Sequence, residues 1–259
     1  DEGIPWHGNG QRITWQLNQD PVERQQYFYA EISGTLPVVN LKIDRKIYLD
    51  KTASVARVVE EITNLNEIEK VFNLVQHPTI GAPFLDETMI VDTRVLQGFS
   101  QKDVVESQPD TSKLITWPQA LVDGKNRDLR FLNGTPGYED AVVTFILDKK
   151  DAFGWVTATN ASKGFLIGYL WPVSDYPWLN FWLMSNNNQP GARGLEFGTT
   201  GLHQPWSVVL ERDSLIGEPL YETIAAHDTV AKSYLMFLAE IPDDFQGVES
   251  VEYDSSQIR

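Results

Sequence analysis

Residues 36–63, LPVVNLKIDRKIYLDKTASVARVVEEIT, decide the fold class. Two period-two runs inside this stretch, Val38 to Leu49 and Ser54 to Thr63, predict successive strands of a meander. Working outward, Gly34 and Pro37 mark a break from an earlier strand at Gln26 to Ile32, and Arg12 to Leu17 supplies one more before it. Towards the C-terminus, strands are predicted at Thr88 to Val95, Asp140 to Leu147, Trp155 to Ala158, Phe165 to Pro172, Leu179 to Ser185 and Gly194 to Phe197. So many short strands, punctuated by Gly, Pro, Asn and Asp, imply a mainly β chain built as a large antiparallel β-sandwich. One helix is predicted, Asp228 to Glu240, with Val230, Tyr234, Phe237 and Leu238 on one face behind an Asp228 N-cap. The same run, TVAKSYLMFLAEIP, also suits a strand. The polar, turn-rich segment Ser100 to Gly137 reads as a long surface excursion of the kind that carries function. No repeat and no linker interrupts the chain, so residues 1–259 are expected to form a single domain.

Composition removes several function classes. With 42% hydrophobic residues, 259 residues suffice for a full core. Thirty-six acidic against 21 basic residues give a net charge of −15, which repels phosphate backbones and anionic lipid, so neither nucleic acid nor a membrane surface is expected as a partner. No apolar run approaches the roughly 20 residues of a bilayer span. The opening DEGIPWHGNG has neither the basic start nor the apolar stretch of a signal peptide. The chain reads as soluble. The absence of Cys excludes disulfides, thiolate metal sites and a Cys nucleophile, and fits a reducing cytoplasm or bacterial export equally. Eight Trp, nine Tyr and 12 Phe are enough to fill a β core and still leave flat faces for a pyranose ring.

Three polar residues stand in unusual company. His7 lies in IPWHGNGQRITW, where Gly8 and Gly10 permit a tight loop just before a strand. His77, in FNLVQHPTIGAPFL, follows an apolar run and precedes Pro78, Gly81 and Pro83, at a turn-rich rim. Glu196, in GARGLEFGTTG, is flanked by Leu195 and Phe197 inside a glycine-bracketed strand, where an acid is expected to face a cavity or a partner. A carboxylate in apolar company is the type of group that serves as a general base near neutral pH. Each histidine taken alone is more often structural than catalytic. His227, in AAHDTV, takes that reading, whereas His203, in the loop TTGLHQPW, leaves surface and binding roles both open. No HExxH spacing supports a zinc site, so no metal is expected. There is no GxSxG elbow, P-loop or strand-borne GxGxxG, so the hydrolase-triad, NTPase and dinucleotide-binding classes lack their motifs.

Taken in chain order, HGNGQRITW, FNLVQHPTIGAPFL and RGLEFGTTG resemble the three signature regions of the galactose mutarotase-like (aldose 1-epimerase) superfamily, over about residues 4 to 245. The resemblance implies the family's large antiparallel β-sandwich and interconversion of the anomers of a free aldose without a cofactor. It makes Glu196 the base on the anomeric hydroxyl and His77 the acid on the ring oxygen. His7 becomes a sugar-binding histidine, with Arg12 and Trp15 continuing its motif. Asp175, in PVSDYPWLNFW, is the best match to the family's substrate-orienting acid, with turn formation as its alternative; Arg193 is expected either to touch ligand or to pair with an acid. The chain departs from the family pattern in starting only six residues before His7, which implies missing N-terminal strands or a reduced domain. Two other readings fit the aromatic-rich sandwich: a non-catalytic carbohydrate-binding module, and a polysaccharide-processing enzyme. A hydrolase would need a second carboxylate beside Glu196, and the sequence offers no obvious one.

Overall fold

The computed structural model describes residues 7–101, 109, 111, 113–122, 125–131, 141–186, 189–254 and 257–258. The chain divides into two compact units, Asp1–Asn73 with Tyr221–Phe237, and Leu74–Leu220 with Leu238–Arg259.

In the first unit, β3 (Leu41–Asp50) and β4 (Val55–Asn64) form the predicted meander, and β1 (Gln16–Glu23) and β2 (Tyr27–Leu36), which runs on through Gly34, extend it, each strand antiparallel to the next. On β4 the alternate residues Ala56, Val58, Glu60, Ile62 and Asn64 are buried, as the period of two requires. Glu60 is the acid in that buried row, and Arg45, opposite it on β3, donates to its Oε1 through Nε at 2.8 Å and Nη2 at 2.6 Å. The segment expected to be helical is instead the strand Thr229–Glu240, whose residues Thr229 to Phe237 pair with β4 from Thr63 to Val55. The turn before it explains the correction. Asp228 N–H donates to Ala225 O, and His227 sits at φ 59, so the chain enters from a left-handed residue that a helix start would not use. The i, i+4 spacing of Val230 and Tyr234 is equally an even spacing, which places both on one face of a strand.

Asn64 joins the two sequence-distant parts of this unit. Fully buried, it donates from Nδ2 to Ile68 O, Ile224 O and Ala225 O at 2.8, 3.0 and 3.0 Å, while Oδ1 accepts the Asn66 amide at 2.9 Å. Asn64→Ala leaves several buried groups without partners and is expected to cost about 2–3 kcal/mol, read as a lowered urea midpoint at unchanged slope.

The second unit contains β5 (Val75–Gln76), β6 (Thr79–Gly81), β7 (Ile90–Thr93), β8 (Gly98–Gln101), β9 (Ala141–Ile146), β10 (Phe153–Asn160), β11 (Phe165–Pro172), β12 (Trp178–Asn186) and β13 (Gln189–Gly198). One layer runs β7-β10-β11. The other runs β8-β9-β12-β13, with β5 and β6 on the outer edge of β13. All these pairings are antiparallel. Aromatic rings fill the space between the layers. Trp171 of β11 stacks on Phe197 of β13 with centroids 4.2 Å apart, and Tyr176 meets the same ring edge-on at 5.3 Å. Phe181 of β12 stacks with Trp117 at 5.0 Å and packs against Phe145 of β9. This is the sandwich the strand pattern predicts.

The short helix α1 (Trp206–Arg212), which follows Pro205, was not expected. Within the polar excursion, Gln119–Val122 pairs with Lys125–Asp128 as a hairpin. Residues 102–108, 110, 112, 123–124 and 132–137 of the excursion lie outside the described residues. Among the described residues no helix is long and apolar enough to cross a membrane.

Candidate active site

The site is built on β13 and its two neighbours. Alternation along β13 turns Leu195 and Phe197 to the core and Gly194, Glu196 and Gly198 to the opposite face. Glu196, 1% exposed, lies directly opposite Asn180 of β12, which in turn lies opposite Thr144 of β9. Gly194 makes the room the carboxylate needs, because a Cβ there would stand 2.7 Å from Glu196 Oε1 and 3.1 Å from Trp182 Cβ.

On the outer side of β13 the edge strand is interrupted. β5 pairs with Phe197 and Gly198, and β6 pairs with Ala192, Arg193 and Gly194, so His77 and Pro78 fall beside Glu196. Pro78 has no N–H for the ladder and splits the edge at this point, while its carbonyl still accepts from Leu195 N–H at 2.9 Å. His77 thereby turns its Nε2 to Glu196 Oε1 at 3.1 Å. Its Nδ1 lies 3.0 Å from Thr79 Oγ1, and the Trp182 ring stands edge-on at 6.0 Å. Thr79 Oγ1 also donates to the His77 carbonyl at 3.3 Å, which leaves it to accept from Nδ1–H, and the protonated ring carries its second proton on Nε2, towards the carboxylate.

A second imidazole reaches the other oxygen: His203 Nε2 lies 3.5 Å from Glu196 Oε2. Both distances are within ion-pair range, yet among the described residues neither carboxylate oxygen receives an aligned hydrogen bond. Side-chain exposures of 36% for His77 and 22% for His203, against 1% for Glu196, place a buried carboxylate beneath two solvent-reaching imidazoles. Such an arrangement can take a proton from one ligand atom and deliver one to a neighbouring atom. Among the described residues no group of three His, Asp or Glu side chains is placed to hold a metal ion.

His203 is carried by residues 199–203, which fold back over the sheet face as a strap. Asn180 Nδ2 donates to Thr200 O at 3.2 Å, and Thr144 Oγ1 lies 3.0 Å from Gly201 O. Gln101 of β8 then grips the strap twice, donating from Nε2 to Gly201 O at 2.8 Å and accepting His203 N–H at Oε1 at 3.0 Å. Gln101, Thr144 and Asn180 are linked side chain to side chain at 2.6 and 2.8 Å, and all three are buried. Only glycine fits at 201, where a Cβ would lie 2.1 Å from Trp178 Cε3.

No protein-family model matches the chain, and no curated protein matches its sequence. Solved structures do match. A galactose mutarotase-like protein of Clostridium acetobutylicum superposes with a TM-score of 0.64 at 13% identity, over 88% of this chain and 67% of that one. The fold is galactose mutarotase-like. A galactose mutarotase related enzyme of Lactobacillus acidophilus shares it, with a TM-score of 0.62 and 11% identity over 93% of this chain and 76% of that one. So does a Klebsiella pneumoniae protein with a provisional aldose 1-epimerase name, with a TM-score of 0.61, 13% identity and 88% of this chain covered. The chain spans 54% of that protein's length. At such identities the likeness is one of fold.

Within this mutarotase-like fold the structure brings together His77 and Glu196, two of the residues singled out from the sequence, and adds His203. Arg193 occupies the other face of β13, fully buried, where Nη2 donates to Leu129 O and the guanidinium lies 5.9 Å from the Phe181 ring. Asp175 sits in the turn between β11 and β12, its N–H donating to Pro172 O at 2.9 Å. His7 and Arg12 belong to the first unit, ahead of β1, where both are exposed. Gln101, Thr144 and Asn180 escaped sequence reasoning. Their only local signal is a lone polar residue in an apolar run, as in AVVTFI and WLNFWL.

Proposed function

We propose that this chain is an aldose 1-epimerase-like isomerase that interconverts the anomers of a free sugar by acid and base catalysis. The observation that carries the reading is the buried Glu196 carboxylate facing His77 Nε2 at 3.1 Å, on a galactose mutarotase-like sandwich. O1 and O5 of a pyranose share C1, so one carboxylate and one adjacent imidazole reach both. Glu196 takes the proton from O1–H while His77 gives one to O5, and the C1–O5 bond breaks without net charge building on the sugar. The C1 aldehyde rotates about C1–C2. His77 then recovers its proton from O5–H as O5 attacks the other face of C1, and Glu196 returns its own to O1.

The test is exchange NMR on freshly dissolved α-glucose and α-galactose. Acceleration over the buffer rate is expected, with His77→Asn slowing the enzymatic part by about 10²–10⁴-fold. Sugar binding without acceleration would instead assign the pair to a binding module, and full activity in His77→Asn would remove His77 from the chemistry.

A further inference from the structure

We infer that His203 is a positioning residue for the base, holding the second oxygen of Glu196 while His77 works at the first, and that Gln101 is what keeps it there. The inference rests on the epimerase reading for its kinetic consequence but not for its geometry.

Three observations carry it. Glu196 is 1% exposed, and its two oxygens face two different imidazoles, Oε1 to His77 at 3.1 Å and Oε2 to His203 at 3.5 Å. A carboxylate with one oxygen restrained cannot rotate about its Cγ–Cδ bond without losing that contact, so the second contact fixes which oxygen meets the ligand. His203 is also not placed by chance packing. Its backbone N–H is held by Gln101 Oε1 at 3.0 Å, and Gln101 is locked by Thr144 Oγ1 at 2.6 Å and Gly201 O at 2.8 Å. Finally, the polar row costs burial of Gln101, Thr144 and Asn180 in a sheet face where apolar residues would pack without partners, and its bonds converge on the strap that bears His203. His77 from the edge strand and His203 from the strap face the Glu196 carboxylate; Arg193 lies on the opposite face of β13.

Two measurements test it. The chain has only four histidines, so their ring Cε1–H signals are resolvable by NMR. Glu196→Gln is expected to move the ring Cε1–H chemical shifts of His77 and His203, which face the carboxylate at 3.1 and 3.5 Å, and to leave that of His227, which faces Glu67, unmoved. An unmoved His203 overturns the proposal whether or not the chain is an epimerase. The second measurement is kinetic. His203→Leu is expected to lower kcat for anomer exchange about 10–100-fold with KM changed less than about threefold, and to alter the pH profile of kcat; His203→Gln, which keeps an N–H in reach, restores most of the rate. Gln101→Leu should reproduce the loss, and the double variant should add little to it, because both act through one contact. Unchanged kcat and pH profile in His203→Leu, or a raised KM at full kcat, overturns the positioning role. Absence of exchange in the unsubstituted chain overturns the epimerase reading, and the histidine chemical shifts then still decide the contact.

Discussion

Glu196→Gln is expected to reduce catalysed anomer exchange by about 10³-fold while the chain keeps its fold. Glutamine matches glutamate in size, so the space beside Gly194, where even a Cβ would come within 2.7 Å of Oε1, still accommodates the side chain. What disappears is the basic oxygen. The amide cannot take a proton from O1–H, and the two imidazoles at 3.1 and 3.5 Å lose the charge they face. Stability should hold or rise, because a carboxylate with 1% exposure and, among the described residues, no aligned donor is a group kept at some cost to the folded state. Exchange NMR with a parallel thermal melt reads both. Wild-type turnover in the variant would mean that the base lies elsewhere, and a collapsed melting curve would mean that Glu196 is structural.

The second large effect concerns the core. Trp171→Ala is expected to cost about 3–5 kcal/mol, a large share of the 5–15 kcal/mol typical of a whole domain. Trp171 is completely buried, stacks on Phe197 at 4.2 Å and donates from Nε1 to Tyr176 O at 2.9 Å. Truncation opens a cavity between the two layers and leaves the Tyr176 carbonyl without this donor. Trp171→Phe should cost less, since a ring still faces Phe197. Urea unfolding of both variants checks the ranking, and a shift below about 1 kcal/mol for the alanine variant would show that the layers repack around the loss.

Much of this architecture is legible in the amino-acid order. β11 runs Phe165–Pro172, the span predicted, and β4 falls within one residue of expectation because buried residues alternate along it, whereas β1, Gln16–Glu23, overlaps the predicted Arg12 to Leu17 only at Gln16 and Leu17 and has no buried residue to mark its span. Glu196 and His77 stand out because each is a polar residue where the local pattern calls for an apolar or turn-forming one. The strand Thr229–Glu240 was ambiguous for a physical reason: its apolar spacing satisfies both periods, and pairing with β4 decides. His203 was not legible as a partner of Glu196, since its place depends on Gln101, 102 residues away, gripping its backbone. The seven-residue α1 is too short to show a helical period, although Pro205 marks its start.

β13 carries two tasks on alternate residues, with Leu195 and Phe197 inward and Glu196 outward between Gly194 and Gly198. Sliding this strand by one position against β12 would drive the carboxylate into the Trp171 layer and put Phe197 on the polar row with Asn180 and Thr144. A chain mispaired by one residue therefore cannot keep a sound core around a broken site. Folding proofreads function here: in a refolding experiment, the return of Trp171 to its buried environment and the return of the Glu196 site should proceed as a single event.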